Sequence, residues 1–290
     1  MYKYYGKYAP YLFLLPAIII LLVFFFIPFF QTVILSFQNY SNDIYNASFA
    51  GLQNYVEIIH NPIFYKVMWN TLLYLVVAVP ILVIFPLFLA ILINQKIKGI
   101  TLYKILIYLP VIVSIVVAAI AFKWLYAQDG ILNYFMQILH LPSIGWLTDP
   151  KYAIYSVIIV TVWKGLGYYM MIYLAALMSV PKELYEACDI DGAGFLRKHL
   201  TVTVPHIMPT IALVTTISSI SAIKIFAEIY VMTKGGPLNS TKTIVYYIYE
   251  KAFENLDLGV ASAMAVILLI IVMAFSLVNI FCFERRKYDI

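Results

Sequence analysis

Ionisable side chains inside apolar segments are the first candidates for chemistry, because a charge at the centre of a membrane helix costs about 2.5–3.5 kcal/mol. Lys164 lies near the middle of one such segment, so it should face a cavity or a partner. Lys224 and Glu228 are four residues apart and should pair on one face of a helix. This pair could belong to a site, or it could be a structural ion pair near the outer surface.

Sequence motifs for catalysis are absent. There is no Gly-x-x-x-x-Gly-Lys-Ser/Thr loop for nucleotide phosphates, and neither His-Glu-x-x-His nor Gly-x-Ser-x-Gly occurs. His199 and His206 are separated by a loose spacing across a proline, which favours polar residues at a membrane interface over metal ligands. We therefore predict that the chain is not an enzyme, holds no metal and has no cofactor of its own.

Membrane helices must position these residues. With 64% hydrophobic and only 11% charged residues, the composition differs from that of a soluble domain, in which about a quarter of the residues are charged. A span needs about 20 mostly apolar residues and must be helical, because hydrocarbon offers no partner to free backbone groups. Six segments qualify: 11–37, 68–93, 106–126, 153–178, 207–232 and 259–283. The predicted fold is an all-α integral membrane protein, with 1–290 as a single transmembrane domain.

Basic residues near the span ends predict the orientation, because cytoplasmic loops are enriched in lysine and arginine. One side carries Lys66, Lys151, Lys234, Lys242 and Lys251. The other side is richer and carries Lys3, Lys7, Lys96, Lys98, Lys104, Lys182, Arg197, Lys198, Arg285, Arg286 and Lys287. The richer side should be cytoplasmic, which places both termini and the loop 181–205 inside the cell. Cys188 and Cys282 fall on that side as well, so no disulfide is expected.

The loop 181–205 is the longest charged segment between two spans. Pro181 suits a first helical turn, and Glu186 then lies near the positive end of the helix dipole. Asp191-Gly192 offers the left-handed position that ends a helix. With a second short helix at 195–200, the pattern predicts a helix-turn-helix hairpin.

The same hairpin carries a spaced motif. Glu186-Ala187-Cys188 is followed after three residues by Gly192, and after nine more by Val202-Thr203-Val204-Pro205. This spacing resembles the EAA motif of the permease subunits of binding-protein-dependent ABC importers, with cysteine in place of the second alanine. The resemblance implies a six-span, type I importer permease fold whose cytoplasmic hairpin couples to a partner ATPase. The implied coupling residues are Glu186, Ala187, Cys188, Asp191, Gly192, Ala193, Phe195 and Pro205.

Motifs outside the hairpin resemble the carbohydrate-importing permeases of that family. They are Gly51-Leu52-Gln53-Asn54-Tyr55, Trp146-Leu147-Thr148-Asp149-Pro150, Thr233-Lys234-Gly235-Gly236-Pro237 and Leu258-Gly259-Val260-Ala261-Ser262-Ala263. The ordered set is similar to the first-permease type of the maltose and glycerol-phosphate importers. It implies a bacterial or archaeal cytoplasmic membrane protein that contacts lipid and no nucleic acid. The implied partners are a second homologous permease in a heterodimer, two cytoplasmic subunits that bind ATP and Mg, and an extracytoplasmic solute-binding protein.

A carbohydrate solute requires hydrogen-bonding groups, flat aromatic faces and small residues where the backbone approaches it. The predicted pathway residues are Ser114, Thr161, Trp163, Lys164, Gly165, Tyr168, Ser218, Ser221 and Lys224. Serine and glycine also serve as tight contacts between membrane helices, and this alternative stays open for each of them. The resemblance implies alternating access driven by the ATPases. Two other functions remain possible from the sequence: an ABC permease for a non-sugar solute, and a secondary transporter or channel that works alone.

Overall fold

The computed structural model describes residues 9–39, 48–95 and 98–284, most of which are helical. The α-helices are α1 (Ala9–Leu21), α2 (Ile27–Leu35), α3 (Gln53–His60), α4 (Pro62–Ile93), α5 (Ile100–Ile112), α6 (Ile115–Leu125), α7 (Ile131–Ile138), α8 (Ala153–Leu177), α9 (Lys182–Ile190), α10 (Phe195–Lys198), α11 (Val204–His206), α12 (Met208–Ile223), α13 (Ala227–Met232), α14 (Ile244–Tyr249) and α15 (Leu258–Glu284). The same residues contain π-helical turns at Leu22–Phe26, His199–Thr203 and Glu250–Glu254. A short β1 (Gln38–Asn39) pairs antiparallel with β2 (Ser48–Phe49).

Six basic residues used to predict the orientation lie outside the described residues, namely Lys3, Lys7, Lys96, Arg285, Arg286 and Lys287, as does the side chain of Cys282.

Five stretches of the described residues are long and apolar enough to cross a membrane. They are Pro10–Leu35, Pro62–Ile93, Ala153–Leu177, Met208–Met232 and Leu258–Asn279. A sixth crossing results if α5 and α6 count as one span, although these two helices are bent by 96°. The six-span prediction agrees with this set, but the prediction of an unbroken third span over 106–126 is wrong. Pro110 removes a backbone hydrogen bond near the end of α5, and Val113 and Ser114 then adopt extended backbone with ψ of 133° and 136°.

Two prolines lie shortly after π-helical turns. Pro28 and Pro205 each come two residues after such a turn ends. A proline ring collides with the carbonyl four residues before it and cannot bond to that carbonyl. The wider π-helical turn relieves this conflict, so both helices continue past their prolines.

Contacts divide the chain into two units, Met1–Asn61 with Tyr247–Ile270 and Pro62–Tyr246 with Ile271–Ile290. In the first unit, Asn54 lies at the start of α3 and closes the end of the first span. Its Nδ2 donates to the carbonyls of Ser36 and Gln38, both at 2.9 Å. Tyr55 adds a hydrogen bond of 2.8 Å to the Ser36 hydroxyl. The Gly51–Tyr55 motif therefore satisfies the carbonyl of the helix C-cap, Ser36, and that of Gln38 in β1.

The second unit is built on α4, which packs against α8 and α12. Tyr74 and Tyr173 are fully buried in the two apolar clusters that these helices form. On α8, Gly167 permits a close approach of α5, because a Cβ at this position would lie 2.3 Å from the carbonyl oxygen of Ile107. Helix α8 carries most of the predicted pathway residues, and it is held by neighbours on several sides.

Buried asparagines fix the loops of the second unit. Asn133 accepts a hydrogen bond of 3.1 Å from the Trp146 indole, at the start of the Trp146–Pro150 motif. Asn70 on α4 donates to the carbonyls of Asn239 and Lys242 at 2.8 and 2.9 Å. The Trp146–Pro150 motif and the segment from Asn239 to Lys242 are therefore parts of well-bonded loops, since buried backbone groups require partners.

Candidate functional site: an intramembrane cavity and a helical hairpin

The hairpin has the predicted helix-turn-helix form. Helix α9 ends at Ile190 with Asp191 as its C-cap, and Gly192 adopts a left-handed conformation with φ of +72°. The Ala193 amide then donates to the Cys188 carbonyl at 2.9 Å, which closes the turn. The second helix extends further than the predicted 195–200, because a π-helical turn carries it past Pro205.

Polar side chains join the two arms of the hairpin. The Tyr185 hydroxyl lies 2.8 Å from the Thr203 hydroxyl, and His199 Nδ1 lies 2.7 Å from the same oxygen. Lys198 forms a salt bridge with Asp189 across the turn. Burial of the ring, followed by the charge of Lys198, lowers the pKa of His199 below its ordinary value of 6.5. The arms are therefore fixed relative to each other, and the neutral form of the imidazole is favoured.

The tip of the hairpin is exposed. Among the predicted coupling residues, Cys188, Ala193 and Pro205 are half-buried, while Glu186, Ala187, Asp191, Gly192 and Phe195 are exposed. Two apolar side chains flank the turn in the open, with Ile190 88% exposed and Leu196 70% exposed. Exposed apolar residues beside carboxylates are typical of a surface that binds another protein.

A cavity of about 460 Å³ lies within the second unit, among α4, α6, α8, α12 and α13. Its lining includes six of the predicted pathway residues, Thr161, Lys164, Gly165, Ser218, Ser221 and Lys224. The other lining residues are Leu82, Ile115, Tyr169, Ala222, Ile225, Phe226, Ala227 and Glu228. Hydroxyl, ammonium and carboxylate groups thus face a space that aromatic rings also border.

Three predicted pathway residues are not part of this lining. Ser114 lies at the break before α6. Trp163 packs edge-on against Phe122, with ring centroids 5.2 Å apart. Tyr168 is exposed, while its neighbour Tyr169 lines the cavity. The four-residue spacing from Thr161 through Gly165 would have indicated Tyr169, because residues four apart share a helical face.

Hydrogen bonds connect the cavity wall to its surroundings. Thr161 donates to Glu228 Oε1 at 3.1 Å, and its hydroxyl lies 2.5 Å from the Tyr74 hydroxyl. Lys164 Nζ donates to the carbonyls of Val111 and Val113 at 3.0 and 2.6 Å. The wall therefore contains a polar network that joins α4, α8 and α13, and a lysine bound to the end of α5.

The predicted ion pair between Lys224 and Glu228 does not form. Helix α12 ends at Ile223, and Phe226 has φ of −142°, so the two residues are not four apart on one continuous helix. Glu228 instead accepts the Thr161 bond and interacts electrostatically with Lys164. The sequence could not show this, because no proline or glycine marks the break between α12 and α13.

Histidines do not gather into a metal site. Within residues 9–39, 48–95 and 98–284, no three His, Cys, Asp or Glu side chains come together as ligands would. The His199 ring packs instead against Phe195, with centroids 4.4 Å apart.

Comparison with known proteins places this arrangement in a family. Residues 55–286 match the family described as "Binding-protein-dependent transport system inner membrane component". The chain belongs to this family. It is 37% identical to the probable ABC transporter permease protein YurN of Bacillus subtilis, over 98% of this chain and 99% of that protein. It is also 34% identical to the arabinooligosaccharides transport system permease protein AraP of Bacillus subtilis, over 96% of this chain and 89% of that protein.

A solved structure has the same fold. A chain of a bacterial alginate ABC transporter, in complex with alginate pentasaccharide-bound periplasmic protein, superposes with a TM-score of 0.80 at 25% identity. The match covers 93% of this chain and 91% of that chain. The predicted type I importer permease fold is thereby confirmed. Family membership makes the chain a multi-pass membrane permease of a binding-protein-dependent system, so the alternative of a carrier that works alone is wrong.

Proposed function

We propose that this permease is the transmembrane subunit of an ATP-driven importer that moves a carbohydrate through the cavity by alternating access. The observation that carries the proposal is the pairing of two features in one unit: a polar cavity among the spans and an exposed hairpin with the EAA spacing. The chain has no nucleotide-binding loop of its own. The hairpin is the feature that can receive force from separate ATPases.

A carbohydrate fits the chemistry of the cavity. Thr161, Ser218 and Ser221 supply hydroxyl groups, and Tyr169 and Phe226 supply flat rings. The relative AraP is named for arabinooligosaccharides, and the solved structure holds a protein bound to an alginate pentasaccharide. Relatives from one family that are named for different sugars favour a carbohydrate over an amino acid or inorganic phosphate.

The exposed side chains of the hairpin favour a protein partner on the cytoplasmic side. Glu186 is exposed and can form a charge-assisted contact with a basic group in a cleft of the ATPase. Ile190 and Leu196 offer apolar contact beside it. The proposed assembly contains two ATP-binding subunits that hold ATP and Mg, a second homologous permease and an extracytoplasmic binding protein. Both termini of this chain would then be cytoplasmic.

Transport into vesicles tests the proposal. The permease is reconstituted with its partner ATPase, second permease and binding protein, and uptake is measured for arabinooligosaccharides, alginate oligosaccharides, an amino acid and inorganic phosphate. We expect ATP-dependent uptake of at least one carbohydrate and of neither control solute. Uptake of the amino acid or of phosphate alone, or uptake without any ATP-binding subunit, would contradict the proposal.

Two serines on α12 provide a matched pair of variants. Ser221 lines the cavity, whereas Ser219 is buried and outside the lining. Ser221→Ala should raise the KM of the transported sugar by about two- to tenfold, the effect of losing one hydrogen bond. Ser219→Ala should leave the KM unchanged, because the Ser219 hydroxyl has no hydrogen-bond partner. Equal KM values for both variants would remove Ser221 from the pathway.

A further inference from the structure

The break between α5 and α6 leaves backbone groups without helical partners. The last carbonyls of α5 have no following turn to bond with, and Val113 and Ser114 are both extended. Hydrocarbon supplies no water to replace those bonds. A bend of 96° inside a span therefore needs hydrogen-bond donors from elsewhere in the protein.

Lys164 supplies these donors from the neighbouring helix. Its ammonium group reaches Val111, in the last turn of α5, and Val113, in the break itself. An ammonium has three N–H donors, so two bonds to carbonyls leave one donor free. On the other side, Lys164 interacts electrostatically with Glu228, which is fixed by Thr161.

We infer that Lys164 is a positioning residue that holds the third span in its bent form. The bend places Ile115, the first residue of α6, in the wall of the cavity. Lys164 therefore shapes the cavity through the backbone, and two of its three donors are taken by carbonyls. The effect on transport rests on the proposed function, whereas the effect on the bend does not depend on any solute.

The length of the third span gives a direct measure of the bend. Leu102 and Trp124 are exposed residues on its two arms. At 1.5 Å per residue, their backbone positions would be about 33 Å apart in a straight helix and about 22 Å apart with a 96° bend. Spin labels at these two positions, in an assembled transporter without other cysteines, report this distance by double electron–electron resonance in lipid without solute.

Lys164→Met should broaden the distance distribution and shift it from about 22 Å towards about 33 Å. Lys164→Arg retains charge and donors and should restore the short distance. Lys123→Met is the matched control, because Lys123 is an exposed lysine on α6, away from the break. Assembly of each variant is followed by co-purification of its partner subunits. Should Lys164→Met fail to assemble, assembly of Lys164→Arg with the short distance would support the inference.

Transport kinetics distinguish positioning from solute contact. If Lys164 acts by positioning, Lys164→Met should lower the maximal uptake rate by about tenfold or more, and tenfold is equivalent to about 1.4 kcal/mol. The KM should stay nearly unchanged. A solute contact predicts a raised KM and an unchanged distance in the absence of solute. An unchanged distance in Lys164→Met, or loss of assembly in both Lys164 variants while Lys123→Met assembles, would overturn the inference. Because the distance needs no solute, it remains informative if the carbohydrate proposal fails.

Discussion

Replacing Gly192 with threonine tests whether the turn of the hairpin transmits force. The φ of +72° at this residue lies in the left-handed region, where a residue with a Cβ loses about 1–2 kcal/mol. A Cβ built on Gly192 meets no atom within 4 Å, so the predicted cost comes from the backbone alone. A cost of this size lowers the population of the correct turn about 5- to 30-fold relative to its alternatives.

Gly194 is the matched control because it lies two residues away with φ of −65° and ψ of 167°. It also has no atom within 4 Å of a built Cβ, and it occupies the N-cap position of α10, where threonine is about as favourable as glycine. Gly194→Thr should therefore leave the hairpin intact. Gly192→Asn should be milder than Gly192→Thr, because asparagine tolerates the left-handed conformation.

The assay is ATP hydrolysis by the reconstituted transporter, stimulated by loaded binding protein. Gly192→Thr should reduce the stimulated rate by a factor within the 5- to 30-fold range, with unchanged membrane insertion. Gly194→Thr should retain the parent rate. Equal stimulation of the two threonine variants would refute the argument, since backbone conformation is the main difference between the two positions.

Two further predictions concern packing and pH. Gly167→Val should lower the free energy of unfolding of the purified permease by about 1–3 kcal/mol or more, because the Cβ would lie 2.3 Å from the Ile107 carbonyl oxygen. Thermal unfolding in detergent measures this change. Unchanged stability would contradict the close packing of α5 on α8. Since burial lowers the pKa of His199, the unfolded hairpin binds more protons in the window below pH 6.5. The contribution of neutral His199 to the stability of the hairpin is thus complete above about pH 6.5, and it is lost as the pH falls through the lower pKa of the folded state. Hydrogen exchange of the hairpin amides at pH 7.5 and 5.5, expressed as protection factors that correct for the slower intrinsic exchange at acid pH, should show weaker protection at the lower pH, and His199→Gln should remove most of that difference.

The sequence motifs predicted the fold class, the family and the hairpin, because each of these depends on residues that are close together in the chain. Apolar runs of membrane length must become helices, and the spacing from Glu186 to Gly192 is carried by the chain itself. The left-handed Gly192 was predictable for the same reason, since a turn after a short helix favours glycine. The orientation of the termini and the roles of the coupling residues stay predictions.

Tertiary structure decided how the intramembrane polar residues are used. From the sequence, Lys164 was expected to face a cavity or a partner, and Lys224 was expected to pair with Glu228, because position and spacing within one helix were the only information available. The break after Ile112 frees carbonyls that bind Lys164, which also lines the cavity. The break after Ile223 turns Glu228 towards Thr161 in place of Lys224. A charge buried among spans bonds to the nearest unsatisfied group, and that group often belongs to another helix. The sequence by itself therefore determined which segments enter the membrane, while helix packing determined which polar groups meet there.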